Sequence, residues 1–257
     1  MNTLRELENE DLMQSEEALN QFYEDVIKGL KAPKKHLSSK YFYDEQGDIL
    51  FQKIMNCKDY YLTRAEMSIF QNDSEKLSDG IRAKESSFDL IELGAGDATK
   101  TFHLLKHLTD QNADFRYLPI DISGNILEVL ENNLFISLPN LSVFPIQGDY
   151  FEALQRACEV SSNRKVLMFL GSNIGNMSPK DSIDFCKKLS KKLNQGDRII
   201  IGFDLKKNPA TILKAYNDSE GITSQFNLNL LIRINRELDG DFDLNNLSQL
   251  YSPNQSY

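Results

Sequence analysis

Tryptophan is absent from this chain of 257 residues, and cysteine and histidine occur three times each. Cys57, Cys158 and Cys186 are widely spaced and outside any CxxC pattern, which points to buried free thiols in a reducing cytoplasm rather than a disulfide framework. His103 and His107 stand four residues apart, a spacing that can hold zinc, but no Glu follows His103 and no third ligand is evident. No metal is therefore expected. Positive charge is scarce: 29 Lys and Arg against 38 Asp and Glu give a formal charge of −9. No face gathers enough cations to neutralise a phosphate backbone, so nucleic acid is not an expected partner. The densest basic group, Lys187, Lys188, Lys191 and Lys192, reads as a solvated helix face. Apolar runs fall well short of the ~20 residues that span a bilayer. The acidic residues from Met1 to Leu19 lack an apolar signal core, and a cytoplasmic monomer without membrane contact is the expectation. Nucleophile elbows, Ser-His-Asp arrangements and paired carboxylates are also missing, which removes the common hydrolase readings.

What the chain does have is an alternation of apolar runs and helical patterns. Strands are expected at 88–93, 115–120, 142–147, 165–170 and 198–204, with helices at 98–109, 123–134, 150–159 and 179–193 between them. Such spacing predicts an α/β fold, a doubly wound parallel sheet whose ligands sit at the carboxyl ends of its strands. Helical patterns flank it: up to about Lys31, at 48–55 and 64–77 before, and at 209–217 and 222–238 after.

The strongest motif joins the first strand to its helix. Phe88-Asp89-Leu90-Ile91-Glu92-Leu93 runs straight into Gly94-Ala95-Gly96. Glycines here let backbone N–H groups approach a ligand at a helix start. Asp121 ends the following apolar run, where a carboxylate can take ribose hydroxyls or cap the next helix. A nicotinamide fingerprint requires a third glycine at position 99, and Thr99 stands there. Asp149-Tyr150 closes the third strand, suited to an adenine amino group and ring face or to a helix cap. Gly171-Ser172-Asn173-Ile174-Gly175-Asn176 follows the fourth, offering two amides to a ligand. Tyr41, Tyr43, Tyr60 and Tyr61 lie outside the sheet, where they either pack a helical cap or hold an organic cation.

Taken in order, Tyr41-Phe42-Tyr43-Asp44, Tyr60-Tyr61-x-Thr63-Arg64-x-Glu66, Ile91-Glu92-Leu93-Gly94-Ala95-Gly96, Phe169-Leu170-Gly171-Ser172-x-Ile174-Gly175-Asn176 and Phe226-Asn227-x-Asn229 resemble the histidine-specific S-adenosylmethionine-dependent methyltransferases, typified by the L-histidine Nα-methyltransferase of ergothioneine biosynthesis. The likeness continues through Ile234-Asn235-Arg236-Glu237-Leu238 and Asp241-Phe242-Asp243, covering about 31–247. It implies a Rossmann-like class I methyltransferase sheet over 81–204 that binds S-adenosyl-L-methionine. It implies a smaller helical substrate-binding domain drawn from 1–80 and 205–257. By matching position, Tyr60, Gly94, Gly96, Lys100, Asp121, Asp149 and Tyr150 are implied to contact the cofactor, and Tyr43, Asn176 and Tyr216 the amino-acid substrate. Tyr43 and Asn176 are the residues implied to orient the amine for transfer. Family members continue past the position of Tyr257 with further strands and a segment that grips the imidazole. A cofactor-binding protein without catalysis is the alternative expectation.

Overall fold

The computed structural model describes residues 2–81 and 86–247, with side chains from residue 16 onward. Three helices come first: α1 (Asn2–Lys31), α2 (Glu45–Asn56) and α3 (Tyr61–Gly80). A βα alternation follows through β1 (Phe88–Leu93), α4 (Phe102–Asp110), β2 (Phe115–Asp121), α5 (Gly124–Ser137), β3 (Ile146–Gln147), α6 (Tyr150–Glu159), β4 (Arg164–Phe169), α7 (Pro179–Lys192) and β5 (Arg198–Ile201). Helices α8 (Pro209–Tyr216) and α9 (Ile222–Leu238) close the described chain.

The five strands form one parallel sheet in the order β3-β2-β1-β4-β5. Strand β1 is buried along its whole length, as a central parallel strand must be, and it takes Asp89 and Glu92 inside together with its four apolar residues. Its alternate side chains build two cores. Leu90 lies on one face with Leu104, Leu105, Leu108, Leu130 and Met168. Ile91 and Leu93 lie on the other with Leu154, Ala157, Phe169, Phe185 and Leu189. Helices on both faces make the sheet doubly wound, as the alternating pattern predicts.

Two strands are shorter than their apolar runs. Of 142–147, only Ile146–Gln147 is ladder. Pro145 lacks a donor, so pairing with β2 is confined upstream to Tyr117 N–H on Ser142 O and Phe144 N–H on Tyr117 O, 2.9 and 2.8 Å. The run from 198 stops at Ile201, apart from Gly202 N–H donating to Phe169 O at 2.9 Å. The cysteines also depart from expectation. Cys57 is buried, but Cys158 is half-buried and Cys186 exposed, because position 186 falls on the outer face of α7. No described helix is long and apolar enough to cross a membrane.

The chain forms two compact units, one running to Phe51 and resuming at Gly221, the other Gln52–Glu220. The first boundary falls inside α2, so α3 and α8 belong with the sheet. In the smaller unit, Phe22 and Val26 of α1 bury against Leu230 and Ile234 of α9. Asp44 there accepts from Asn229 Nδ2 at 2.7 Å and Arg236 at 2.8 Å. Asn235 pins the chain after α9 through two bonds of 2.9 Å to the backbone of Phe242.

Candidate active site

The strand order reverses between β1 and β4, and ligands of open α/β sheets bind at the carboxyl ends beside such a switch. The chain leaves β1 through Gly94 at φ +72°, a backbone conformation that side chains with Cβ rarely adopt. The N–H groups of Gly94 and Ala95 both donate to Ile120 O, at 2.8 and 3.1 Å, which folds the turn back onto β2. A Cβ on Gly94 would stand 3.1 Å from the Tyr150 hydroxyl and 3.3 Å from Asn173 Nδ2. Three elements therefore converge on this glycine. At Gly96, also left-handed at φ +57°, an added Cβ would meet nothing within 4 Å. Open space thus lies beside the glycine turn.

Asp121 stands at the tip of β2. Its Oδ2 accepts from Gly96 N–H at 2.9 Å and its Oδ1 from Ser123 N–H at 3.1 Å. Both donors are backbone, so the carboxylate is held in place whatever the surface side chains do. Of its two possible roles, the helix cap goes to Ser123, whose hydroxyl accepts from Ile126 N–H at 3.2 Å. Asp149 does cap a helix: its Oδ1 accepts from Phe151 N–H at 3.0 Å while the residue stays exposed at the start of α6. The Tyr150 ring packs edge-on against Phe169, centroids 5.5 Å apart. Burial, then the nearby charges of Asp121 and Asp149, push its phenol above the ordinary tyrosine value. It stays a hydroxyl, able to donate.

Lys100, on the loop into α4, is paired with Glu66 of α3. At the end of β4, Gly171 and Ser172 are both left-handed, at φ +68° and +55°, and lead into a 3₁₀ turn over Asn173–Asn176. That geometry brings Asn173 to the glycine turn and leaves Asn176 exposed. Tyr60, buried at the start of α3, meets Tyr216 of α8 edge-on at 5.9 Å. Beneath the turn, Glu92 is buried among Tyr117 and Thr101, whose hydroxyls donate to it at 2.6 and 2.8 Å.

A carboxylate braced by backbone donors, open space beside a left-handed glycine, an aromatic ring and a cation fit a nucleoside that carries an amino-acid tail. A family model of histidine-specific, S-adenosylmethionine-dependent methyltransferases matches residues 22–255. The chain belongs to this family. Histidine N-alpha-methyltransferase of Mycolicibacterium smegmatis is 36% identical over 220 residues, covering 86% of this chain and 67% of that protein. N-methyltransferase fsqC of Aspergillus fumigatus is 30% identical over 240 residues, 90% of this chain and 63% of that one. Ergothioneine biosynthesis protein 1 of Schizosaccharomyces pombe is 28% identical over 204 residues, 77% of this chain but 26% of that much longer protein.

Membership in a methyltransferase family settles the cofactor class as S-adenosylmethionine and removes the nicotinamide reading that the missing third glycine had weakened. These relatives carry enzyme names, and nothing in them favours the binding-only alternative. Around the sheet of this methyltransferase, the implied cofactor residues Tyr60, Gly94, Gly96, Lys100, Asp121, Asp149 and Tyr150 all fall within one compact unit, with Asn176 and Tyr216. Tyr43 belongs to the smaller unit, where its ring packs edge-on against Phe51 and Phe226 at 5.6 and 5.7 Å. Phe226 and Asn229, quoted in the family pattern without a role, serve the interior of that unit.

Three polar residues at the site carry no local signal of their importance. Ser123 looks like any loop serine until its N–H donates to Asp121 and its hydroxyl caps α5. Glu92 looks like an ordinary strand residue until Tyr117 and Thr101 close on it. Glu66 sits inside a family motif, but its partners Lys100 and Gly171 are 34 and 105 residues away.

Proposed function

We propose that this methyltransferase moves a methyl group from S-adenosylmethionine to the α-amino nitrogen of histidine or a closely related amino acid. The observation that carries the cofactor half is the Asp121 carboxylate, fixed by Gly96 and Ser123 next to the open glycine turn. The substrate half draws on the relatives named for histidine N-alpha-methylation. In this reading Asp121 takes the ribose hydroxyls, and Asp149 and Tyr150 take the adenine edge and face. Gly94, Gly96, Lys100 and Tyr60 serve the remainder of the cofactor. Tyr43, Asn176 and Tyr216 serve the amino acid, with Tyr43 and Asn176 orienting its amine. The helical segments of 1–80 and 205–257 are assigned to substrate binding.

Bound S-adenosylmethionine supplies a methyl carbon already activated by a positively charged sulfur. The protein's own work is then mostly to hold an amine lone pair in line with that carbon, a proximity effect. The amine must arrive neutral, because an ammonium has no lone pair to offer the methyl carbon. Aromatic faces such as Tyr60 suit the positive charge that grows on nitrogen. No strong general base is assigned.

Mass spectrometry of reactions with histidine and a panel of related amino acids tests the reading. A methylated product on the α-nitrogen is expected. Cofactor binding without any methylated product across the panel overturns it and leaves a binding role alone.

A further inference from the structure

We propose that Glu66 is a positioning residue, holding Lys100 and the Gly171 turn in the arrangement that receives the cofactor. The inference rests on the cofactor reading above and concerns a residue to which that reading gives no task. Glu66 lies on α3, outside the sheet, yet its side chain is only 15% exposed and that of Lys100 21%. Its Oε2 accepts from Lys100 Nζ, on the loop that follows β1. Its Oε1 accepts from Gly171 N–H at 2.8 Å, on the turn that follows β4. The end of β5 crowds the same carboxylate, since a Cβ on Gly202 would stand 2.7 Å from Oε1. One side chain thus ties together the two strand ends that flank the point where the strand order reverses, and lies against a third.

The chemistry of the pair explains its use. A lysine ammonium has three donors, and Glu66 engages one of them, leaving the others for an anionic group such as a carboxylate. A lysine stem held this way has already lost the freedom that binding would otherwise have to remove. Oε1 does a separate job. By accepting from Gly171 it steadies the turn that carries Asn173, whose amide reaches the glycine loop. Replacing the carboxylate by an amide keeps an acceptor for Gly171 but sets an N–H group against the ammonium. Glu66→Gln therefore separates the lysine task from the turn task.

The test is titration calorimetry with S-adenosylmethionine on the parent, Glu66→Gln, Lys100→Met and the double variant, with thermal melts on each. Glu66→Gln is expected to weaken binding about tenfold or more, the scale of one charge-assisted contact. In the Lys100→Met background the same change is expected to cost less than twofold, because no ammonium is left to position and the amide oxygen still accepts from Gly171. Gly202→Ala, which pushes on the carboxylate without removing it, provides a second route should Glu66→Gln not fold; it is expected to weaken binding severalfold in the parent, and parent-like affinity there overturns the proposal. Parent-like affinity of Glu66→Gln, or an equal loss in both backgrounds, overturns the proposal and leaves the cofactor reading standing. A parent protein that does not bind S-adenosylmethionine overturns both.

Discussion

The backbone N–H of Gly96 donates to Oδ2 of Asp121 at 2.9 Å, joining the loop after β1 to the tip of β2. One carboxylate therefore shapes the glycine turn and, in the proposed function, meets the ribose. Asp121→Ala is expected to weaken S-adenosylmethionine binding by at least about tenfold, since hydrogen bonds to a charged group contribute ~1.5–3 kcal/mol. Asp121→Asn keeps an acceptor for Gly96 and should lose less. Calorimetry on the three proteins decides it; equal affinities would sink the ribose assignment.

Gly94→Ala combines two penalties. The backbone there is left-handed at φ +72°, and the new Cβ would crowd the Tyr150 hydroxyl at 3.1 Å. A loss of ~1–3 kcal/mol in stability is expected from the backbone strain alone. Urea melts should show this loss, with cofactor affinity falling in the protein that remains folded. An unchanged midpoint would mean that the turn relaxes freely.

Glu92 predicts a pH dependence. Burial lifts its carboxyl from 4.5 to about 7, against the opposing hydrogen bonds from Tyr117 and Thr101. In that window the folded state holds the proton more tightly than the unfolded chain does. Unfolding free energy therefore falls as pH rises through it, and levels off above it. Glu92→Gln cannot titrate and should flatten this part of the profile. Urea midpoints between pH 4.5 and 8 for both proteins provide the comparison; parallel slopes would count against the assignment.

Lys165→Met tests the opposite end of the sheet. Lys165 Nζ donates to Asp89 Oδ2 at 2.9 Å, and both side chains are buried where β4 and β1 begin. Removing one partner of a buried pair costs ~3–5 kcal/mol, and the remaining Arg116 contact to Asp89 at 2.8 Å places the value at the lower end. Cofactor affinity of the folded variant should stay within about twofold of the parent, because the ligand end of a parallel sheet is the carboxyl end. A large loss of affinity would show that the two ends are coupled.

The elements that local chemistry dictates were legible in the residues alone. A mostly apolar run over Phe88–Leu93, an abrupt Gly94-x-Gly96 and a helical pattern after them identify a parallel strand and its ligand turn. α6 and α9 occupy the very spans their periodicity predicts, 150–159 and 222–238. Where the reading ran long, a specific residue explains the difference: Pro145 withholds a donor from β3, and the run beyond Ile201 leaves the ladder after a single bond from Gly202. The family pattern likewise marked positions such as Asn229 and Arg236 without revealing that they serve Asp44.

By itself the sequence determined the sheet, its two apolar faces, the glycine turn and the methyltransferase family, because periodicity and short motifs depend on neighbours a few residues apart. Only the tertiary structure decided that Ser123 caps α5 while Asp121 braces Gly96, that Glu92 is enclosed by two hydroxyls, and that Glu66 reaches both Lys100 and Gly171. Most of those partners lie tens of residues away along the chain. A hydrogen bond acts over about 3 Å of space whatever the distance along the chain, so packing had to choose its partners.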